Sequence, residues 1–330
     1  MNKSIALSAL LLLTSLPLLA EPQAGIADLP AVQAFIKTMS RHQRFEAAAL
    51  EKLFQQVTFQ QKIIDAMNRP YEAKPWHAYR KLFLTDARIQ GGVEFWKQHE
   101  GALAQAKARY GVDPQIVVAI LGVETSYGKN TGNYRVIDAL ATLAFDYPKR
   151  ADFFRKELES FLILCREEGM DALIPQGSYA GAMGLPQFMP SSFRSYAADL
   201  EGDGRRDIWN NPADAIASVA RYFSVHGWKT GEAVAFPAKV GGEAFKRSLN
   251  RDARPTQTLE ELKNLGVRID AALPELTRAK LLELEGENSP EYWVTLNNFY
   301  VITRYNHSPL YAMAAHQLSQ EVLRRRNAAH

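Results

Sequence analysis

Cysteine is almost missing from this 330-residue chain, in which Cys165 is the sole example. No intramolecular disulfide can form even in an oxidising compartment. Cys165 closes the apolar stretch Phe161–Cys165 and reads as a buried small hydrophobe, with no histidine nearby in sequence to make a reactive thiol. An excess of charge is missing too. The net charge of +3 helps association with an anionic polymer but falls far short of the basic stripe of a nucleic-acid binder, so no nucleic-acid partner is expected. The apolar run from Ile5 to Leu19 is shorter than the roughly 20 residues that span a bilayer. Preceded by Lys3 and ending at Ala20, it reads as a signal peptide over residues 1–20, cleaved near Ala20 to leave an exported chain without a membrane anchor. No cysteine stands near that cut to carry a lipid. The seven histidines, His42, His77, His99, His226, His307, His316 and His330, form no ligand pair and read mostly as surface or capping residues. Internal repeats and low-complexity tracts are also lacking.

What remains is the composition of an ordinary globular protein, 47% hydrophobic and 23% charged, long enough for two domains or one elaborated fold. Apolar residues three and four apart mark helices in Ala31–Met39, Phe45–Val57 and Gly91–Tyr110, with breaks at Arg69-Pro70 and Lys74-Pro75. Asp113-Pro114 is a helix-start signal, an N-cap residue followed by proline at the first helical position. Between Ala233 and Asn298 the pattern changes: Val234–Pro237, Val267–Ile269 and Tyr292–Leu296 read as short strands. Helical periodicity returns from Phe299 to Arg326 and ends in Arg324-Arg325-Arg326, read as a solvated helix end. The fold class is therefore mainly α (α+β). The expected layout is an N-terminal helical domain over 21–112, completed by a C-terminal helix in 299–330, a central block over 113–232 and a small α+β insertion over 233–298.

Two segments could carry chemistry. In Ile116–Glu124 a carboxylate directly follows eight apolar or small residues of a helix. Desolvation disfavours its charged form and raises its pKa, as a proton donor near neutral pH requires. Taken alone, the segment reads more simply as a structural or exposed glutamate near a helix end. Downstream, Gly177–Ser192 combines small residues that permit close backbone approach with Gln187, both donor and acceptor, and flat aromatic faces. That composition suits a sugar cleft, or a tight glycine-rich loop packed on a helix. Trp76, Trp96, Trp209, Trp228 and Trp293 are assigned to packing rather than to the site.

Glu124–Gly128, Asp138–Phe145, Tyr147–Arg150, Gly177–Ser192 and Thr303–Ser308 together resemble the membrane-bound lytic transglycosylase B family, in order and over roughly Pro30 to Leu323. The resemblance implies a lysozyme-like catalytic core within 113–232, flanked by the helical and α+β domains. It implies a periplasmic enzyme that acts on peptidoglycan glycan strands, non-hydrolytically cleaving the β-1,4 bond from N-acetylmuramic acid to N-acetylglucosamine and leaving 1,6-anhydromuramic ends. Glu124 matches the family's catalytic acid. Ser178 and Gln187 match residues that hold substrate, and Tyr79, Tyr222, Tyr305 and Asn306 match others lining the groove. Lys149 and Arg150 occupy a basic pair near the peptide-bearing sugar, the first a lysine in place of arginine and so without a bidentate fork. Ordinary glycosidases flank the bond with two carboxylates. With no second one in the matched cleft, Glu124 is expected to act as sole acid and base, with the substrate's acetamido oxygen assisting. No catalytic cofactor is expected.

The acidic segment Asp199–Asn210 places oxygen ligands at loop positions one, three and five (Asp199, Glu201, Asp203), glycine at six and the Arg205 carbonyl at seven, as in an EF-hand calcium loop. Position twelve is Asn210 where a bidentate glutamate belongs. The alternative is a solvated acidic turn. In the resembling family a comparable loop carries calcium, and by that alignment Asp214 closes the site, so structural Ca2+ is the metal expected. Two rival functions stay open, a hydrolytic muramidase and a catalytically silent peptidoglycan-binding scaffold. The chain is expected to act as a monomer, with cell-wall synthesis or hydrolysis proteins as its candidate protein partners.

Overall fold

The computed structural model describes residues 26–69, 74–249 and 253–328; the segment read as a signal peptide lies outside these. The first six helices are α1 (Pro30–Gln43), α2 (Ala47–Phe54), α3 (Gln61–Met67), α4 (Trp76–Arg80), α5 (Asp86–Gln98) and α6 (Glu100–Tyr110). The expected single helix across Gly91–Tyr110 is two, because His99 leaves helical geometry at φ −118° between α5 and α6.

The central block contains α7 (Pro114–Thr125), β1 (Tyr134–Arg135), α8 (Val136–Phe145), α9 (Ala151–Glu168), β2 (Gln176–Gly177), α10 (Pro190–Tyr196) and α11 (Pro212–Val225). Proline at the first position starts α7 as read from the sequence, but the Asp113 carboxylate makes no cap and instead pairs with Lys107 Nζ at 3.0 Å. α7 is apolar all round and every residue from Ile116 to Val123 is buried, the pattern of a helix run through a core.

A five-stranded antiparallel sheet comes next, ordered β4-β6-β7-β3-β5. Its strands are β3 (Ala235–Val240), β4 (Gln257–Thr258), β5 (Val267–Ile269), β6 (Arg278–Leu284) and β7 (Glu291–Thr295), with helix α12 (Leu259–Asn264) between β4 and β5. Strand β6 has no counterpart among the expected strands. Its Leu, Lys and Glu residues favour helix, and pairing with β7 overrides them. One face of the sheet, with Ala279, Leu281 and Val294, forms a separate small core with Leu262 and Phe245. The other, with Leu282 and Trp293, packs on the main core.

The chain ends in α13 (Asn297–Tyr305) and α14 (Pro309–Ala328), two helices where one was expected. The Asn306-His307-Ser308 break re-aims the chain, and Ser308 Oγ accepts from the Tyr311 amide at 3.4 Å at the start of α14. α14 lies against both α5 and α7. One continuous core therefore runs from Ile26 to Val322 through the first helices and the central block alike. Two polar ties reinforce it: the Thr58 and Gln60 amides donate to Asp138 Oδ1 (3.2 Å) and Thr142 Oγ1 (3.0 Å) on α8.

Candidate active site

α7 delivers Glu124 in its last turn, and the residues just beyond hold the helix end in one place. Ser126, Tyr127 and Gly128 all have positive φ (51°, 63° and 87°). That conformation costs L-residues and persists only where surrounding structure fixes it. The fixing contacts are visible. Thr125 Oγ1 donates to the Leu185 carbonyl at 3.0 Å and accepts from the Gly128 amide at 3.0 Å. Tyr127 OH donates to the Arg88 carbonyl at 2.9 Å, and Arg88 Nη1 donates to the Gly122 carbonyl at 3.0 Å. A Cβ at Gly122 would fall 2.5 Å from the Tyr127 hydroxyl, so only glycine lets that ring seat against α7.

The Gly177–Ser192 loop is the other half of the site. Gly184 turns at φ 64° with its Cα so near Ile208 that a Cβ would meet the Ile208 carbonyl at 2.5 Å. Gln187 also has positive φ (51°), and its Nε2 donates to the Thr131 and Gly184 carbonyls at 3.1 and 2.9 Å. Ser178 Oγ accepts from the Ala182 amide at 3.1 Å, closing the loop on itself. The far end is pinned by buried Glu157, which accepts from Ser191 N (2.9 Å) and Oγ (2.7 Å). Glu157 is thus a structural carboxylate.

Glu124 keeps part of its surface open while protein atoms crowd its carboxyl. Burial pushes its pKa up to about 7, and a hydrogen bond from Tyr311 OH to Oε1 at 2.6 Å works in the opposite direction. No other carboxylate acts on it among the described residues. Its ionisable neighbours are phenols. The Tyr311 and Tyr305 hydroxyls are held well above the usual tyrosine range, first by burial and then by the charge of Glu124, so both stay protonated. The Tyr79 phenol also acts electrostatically on Tyr311. Tyr311 escaped the sequence reading because it lies three residues beyond the motif that ends at Ser308. Ser308-Pro309 repeats the helix-start signal of Asp113-Pro114 and could have placed it in a first helical turn.

The structure gathers several of the expected groove residues here. Tyr305 OH donates to the Pro186 carbonyl and Tyr222 OH to the Arg304 carbonyl, both at 2.5 Å, and the two rings meet edge to face at 4.8 Å. Their hydroxyls therefore hold backbone. A cavity of about 980 Å³ between β6 and the α13–α14 junction includes Tyr305 and Asn306, and one of about 780 Å³ beyond the loop includes Thr131, Gly132 and Asn210. The first is lined by Tyr305, which bonds the Pro186 carbonyl, and the second by Thr131, whose carbonyl accepts from Gln187. Lys149 and Arg150 stand apart on a 3-10 turn between α8 and α9, where Lys149 Nζ donates to Asn68 Oδ1 at 3.4 Å and Arg150 stacks over Phe153 at 4.5 Å.

In the acidic loop, Asp199 accepts from the Gly202 and Gly204 amides at 2.6 and 2.8 Å, and those backbone donors hold its carboxyl below the usual range. Asp214 bridges the loop's two sides, accepting from Leu200 N and Asp207 N at 2.9 Å each. Its pKa is raised by burial and then by the charges of Asp199 and Asp203. Asn210 turns its amide to Asp207, and Glu201 accepts from Asn211 Nδ2 at 3.0 Å. Among the described residues no three His, Cys, Asp or Glu side chains stand close enough to hold a metal.

The family model described as a transglycosylase SLT domain matches residues 27–320. The chain belongs to that family. It is 42% identical over 321 residues to membrane-bound lytic murein transglycosylase B of Escherichia coli, covering 92% of this chain and 88% of that one. Among solved structures, the catenated lytic transglycosylase SltB1 of Pseudomonas aeruginosa superposes with TM-score 0.87 at 51% identity, over 91% of this chain and 99% of that one. An Escherichia coli lytic transglycosylase in complex with calcium superposes with TM-score 0.85 at 42% identity, over 92% and 97% of the two chains. This family member is an enzyme, a lytic transglycosylase, and its mainly helical, lysozyme-like fold is the one these structures share. No helix among the described residues is long and apolar enough to cross a membrane.

Proposed function

We propose that this transglycosylase is exported, acts on peptidoglycan in the periplasm and cuts the bond from N-acetylmuramic acid to N-acetylglucosamine with Glu124 as its only acid and base. The supporting observation is a carboxyl with pKa near 7, hydrogen-bonded by a tyrosine and acted on by no second carboxylate among the described residues. Near neutral pH a large share of Glu124 is protonated, and the proton passes to the glycosidic oxygen as its bond to the anomeric carbon breaks. The substrate's acetamido oxygen stabilises the cationic centre, the role a second carboxylate plays in ordinary glycosidases. The muramic acid 6-hydroxyl then attacks that carbon and returns its proton to Glu124, so no water is consumed. Tyr311 holds Oε1 in place through both transfers. Ser178, Gln187, Tyr79, Tyr222, Tyr305 and Asn306 shape the groove, and Lys149 and Arg150 meet the substrate further along.

The same reading assigns the acidic loop a structural Ca2+, for which Asp199, Glu201, Asp203, the Arg205 carbonyl and Asp214 would have to draw closer together than they stand among the described residues. The mutual repulsion already felt by Asp214 is what a cation there relieves. The cation's part is to brace the loop whose Ile208 carbonyl accepts from the Leu185 amide at 2.9 Å.

Digestion of purified peptidoglycan by the chain and by Glu124→Gln, with mass spectrometry of the glycan ends, tests the proposal. Anhydromuramic ends from the parent and none from the variant support it. Reducing ends would make the enzyme a muramidase, and binding without products would make it a scaffold.

A further inference from the structure

The two halves of the site, the end of α7 and the Gly177–Ser192 loop, meet at one buried hydroxyl. Thr125 directly follows Glu124 and is only 1% exposed. Its Oγ1 accepts from the Gly128 amide at 3.0 Å and lies 3.0 Å from the Leu185 carbonyl and 3.3 Å from the Leu121 carbonyl. A hydroxyl has one proton to give. The Leu121 carbonyl already accepts from the Tyr127 amide at 3.1 Å, whereas the Leu185 carbonyl has no other donor among the described residues, so the proton goes to Leu185. The Leu185 side chain closes on the same turn: a Cβ at Gly128 would fall 3.3 Å from its Cγ. On the loop side the Leu185 amide donates to the Ile208 carbonyl at 2.9 Å, and the Pro186 carbonyl accepts from Tyr305 OH. Gln187 comes next in the chain. One threonine side chain thus spans from the residue after Glu124 to the backbone two residues before Gln187.

We infer that Thr125 is a positioning residue, whose hydroxyl sets the placement of the Glu124 carboxyl relative to the loop that carries Gln187. The inference rests on the reading of Glu124 as the acid and of Gln187 as a residue that holds substrate. The last turn of a helix leaves its carbonyls without helical partners, and here the chain leaves α7 through three left-handed residues that keep their shape only while contacts fix them. Proton transfer tolerates little error, since a misplacement of about 1 Å can cost about 10²-fold in rate. An acid carried by one half of the groove and a substrate held by the other therefore need a rigid link. Tyr311 does not supply it, because its bond to Oε1 ties the carboxyl to α14. Thr142 on α8 offers a comparator with the same chemistry. It is fully buried, and its Oγ1 accepts from the Gln60 amide at 3.0 Å and donates to the Asp138 carbonyl at 2.7 Å, with no groove residue among its partners.

The test compares Thr125→Val, which keeps the shape and deletes the hydroxyl, with Thr125→Ser, which keeps the hydroxyl and deletes the methyl. Thr142→Val makes the same deletion away from the groove. For each, kcat and KM are measured on soluble, uncross-linked peptidoglycan strands by counting anhydromuramic ends, well below every melting temperature, and the melting temperatures are recorded alongside. Both valine variants should melt below the parent, because each leaves a buried amide without its acceptor. In Thr125→Val kcat should fall about tenfold or more with KM within about twofold of the parent. Thr125→Ser should stay within about threefold of the parent, and Thr142→Val should keep the parent's kcat. Thr125→Cys, whose thiol is a weak donor, carries the same comparison with serine if the valine variant does not fold. A serine variant as impaired as valine would assign the role to methyl packing. A kcat in Thr125→Val no lower than in Thr142→Val would leave Thr125 purely structural, and a raised KM at unchanged kcat would place it in binding; each of the three overturns the inference. A Glu124→Gln variant that still forms anhydromuramic ends would sink the acid reading together with this inference, whereas an inactive Glu124→Gln beside a fully active Thr125→Val sinks the inference alone.

Discussion

The end of α7 and the acidic loop put the same chemical group to opposite uses. At Glu124 a carboxylate stands among apolar atoms and phenols, and its charged form is destabilised until it keeps a proton near neutral pH. At Asp199 a carboxylate stands in solvent, wrapped by the Gly202 and Gly204 amides, and its charged form is favoured. Environment alone suits the first to the proposed proton donation and the second to the proposed cation. Experiments that exchange or cancel the environments break the comparison.

The largest expected effect is on Glu124 itself. Glu124→Gln keeps the shape and removes the transferable proton, so the rate of glycan cleavage should fall by about 10²–10⁴-fold, the usual span for general acid–base catalysis. Stability should move the other way. The folded pKa of about 7 lies above the ordinary 4.5, so the folded state binds more protons than the unfolded one between those values. Stability therefore falls as pH rises from about 4.5 to 7, by on the order of 3 kcal/mol in full. Glu124→Gln removes that dependence. Its melting temperature should exceed the parent's at pH 8 and converge on it at pH 4; equal gaps at both would show that Glu124 is not desolvated. The parent's kcat/KM should decline above about pH 7 for the same reason.

Next in size is the loop. Calcium at 100 times its dissociation constant should stabilise the parent by about 2.7 kcal/mol, which in a protein of this size is a melting shift of roughly 4 °C. Asp199→Asn should lose most of that shift while cleavage by the calcium-free protein stays unchanged. A parent that melts identically in calcium and in chelator would leave the loop a solvated acidic turn.

The contrast between the regions also shows what the sequence could reveal. The α7 site was legible because eight apolar or small residues before Glu124 already state its environment, whereas the need for glycine at 122 and 184 shows only in the packing. The loop's first half has the spacing of a calcium loop, but among the described residues its carboxylates stand too far apart to hold the ion. What stayed hidden depended on distant packing. Glu157 looks like any helix-surface glutamate until Ser191, 34 positions away, donates to it twice. Strand β6 carries leucine, lysine and glutamate, which favour helix, and only its pairing with β7 makes it a strand. Tyr311 meets Glu124 across 187 positions, and only the α13–α14 break, read as continuous helix, brings it there.

Tyr311→Phe is the finest probe of the comparison, because it deletes one hydroxyl and little volume. The hydroxyl donates to Oε1 and so favours the ionised carboxylate, which partly offsets burial. Without it the Glu124 pKa should rise, carrying the alkaline limb of the kcat/KM profile to higher pH. The maximal rate should fall by about tenfold or less, since the proton donor survives and only its orientation loosens. A limb that shifts to lower pH would mean that the bond stabilises the protonated acid, with Tyr311 accepting from Glu124. An unmoved limb with a lowered rate would confine Tyr311 to positioning.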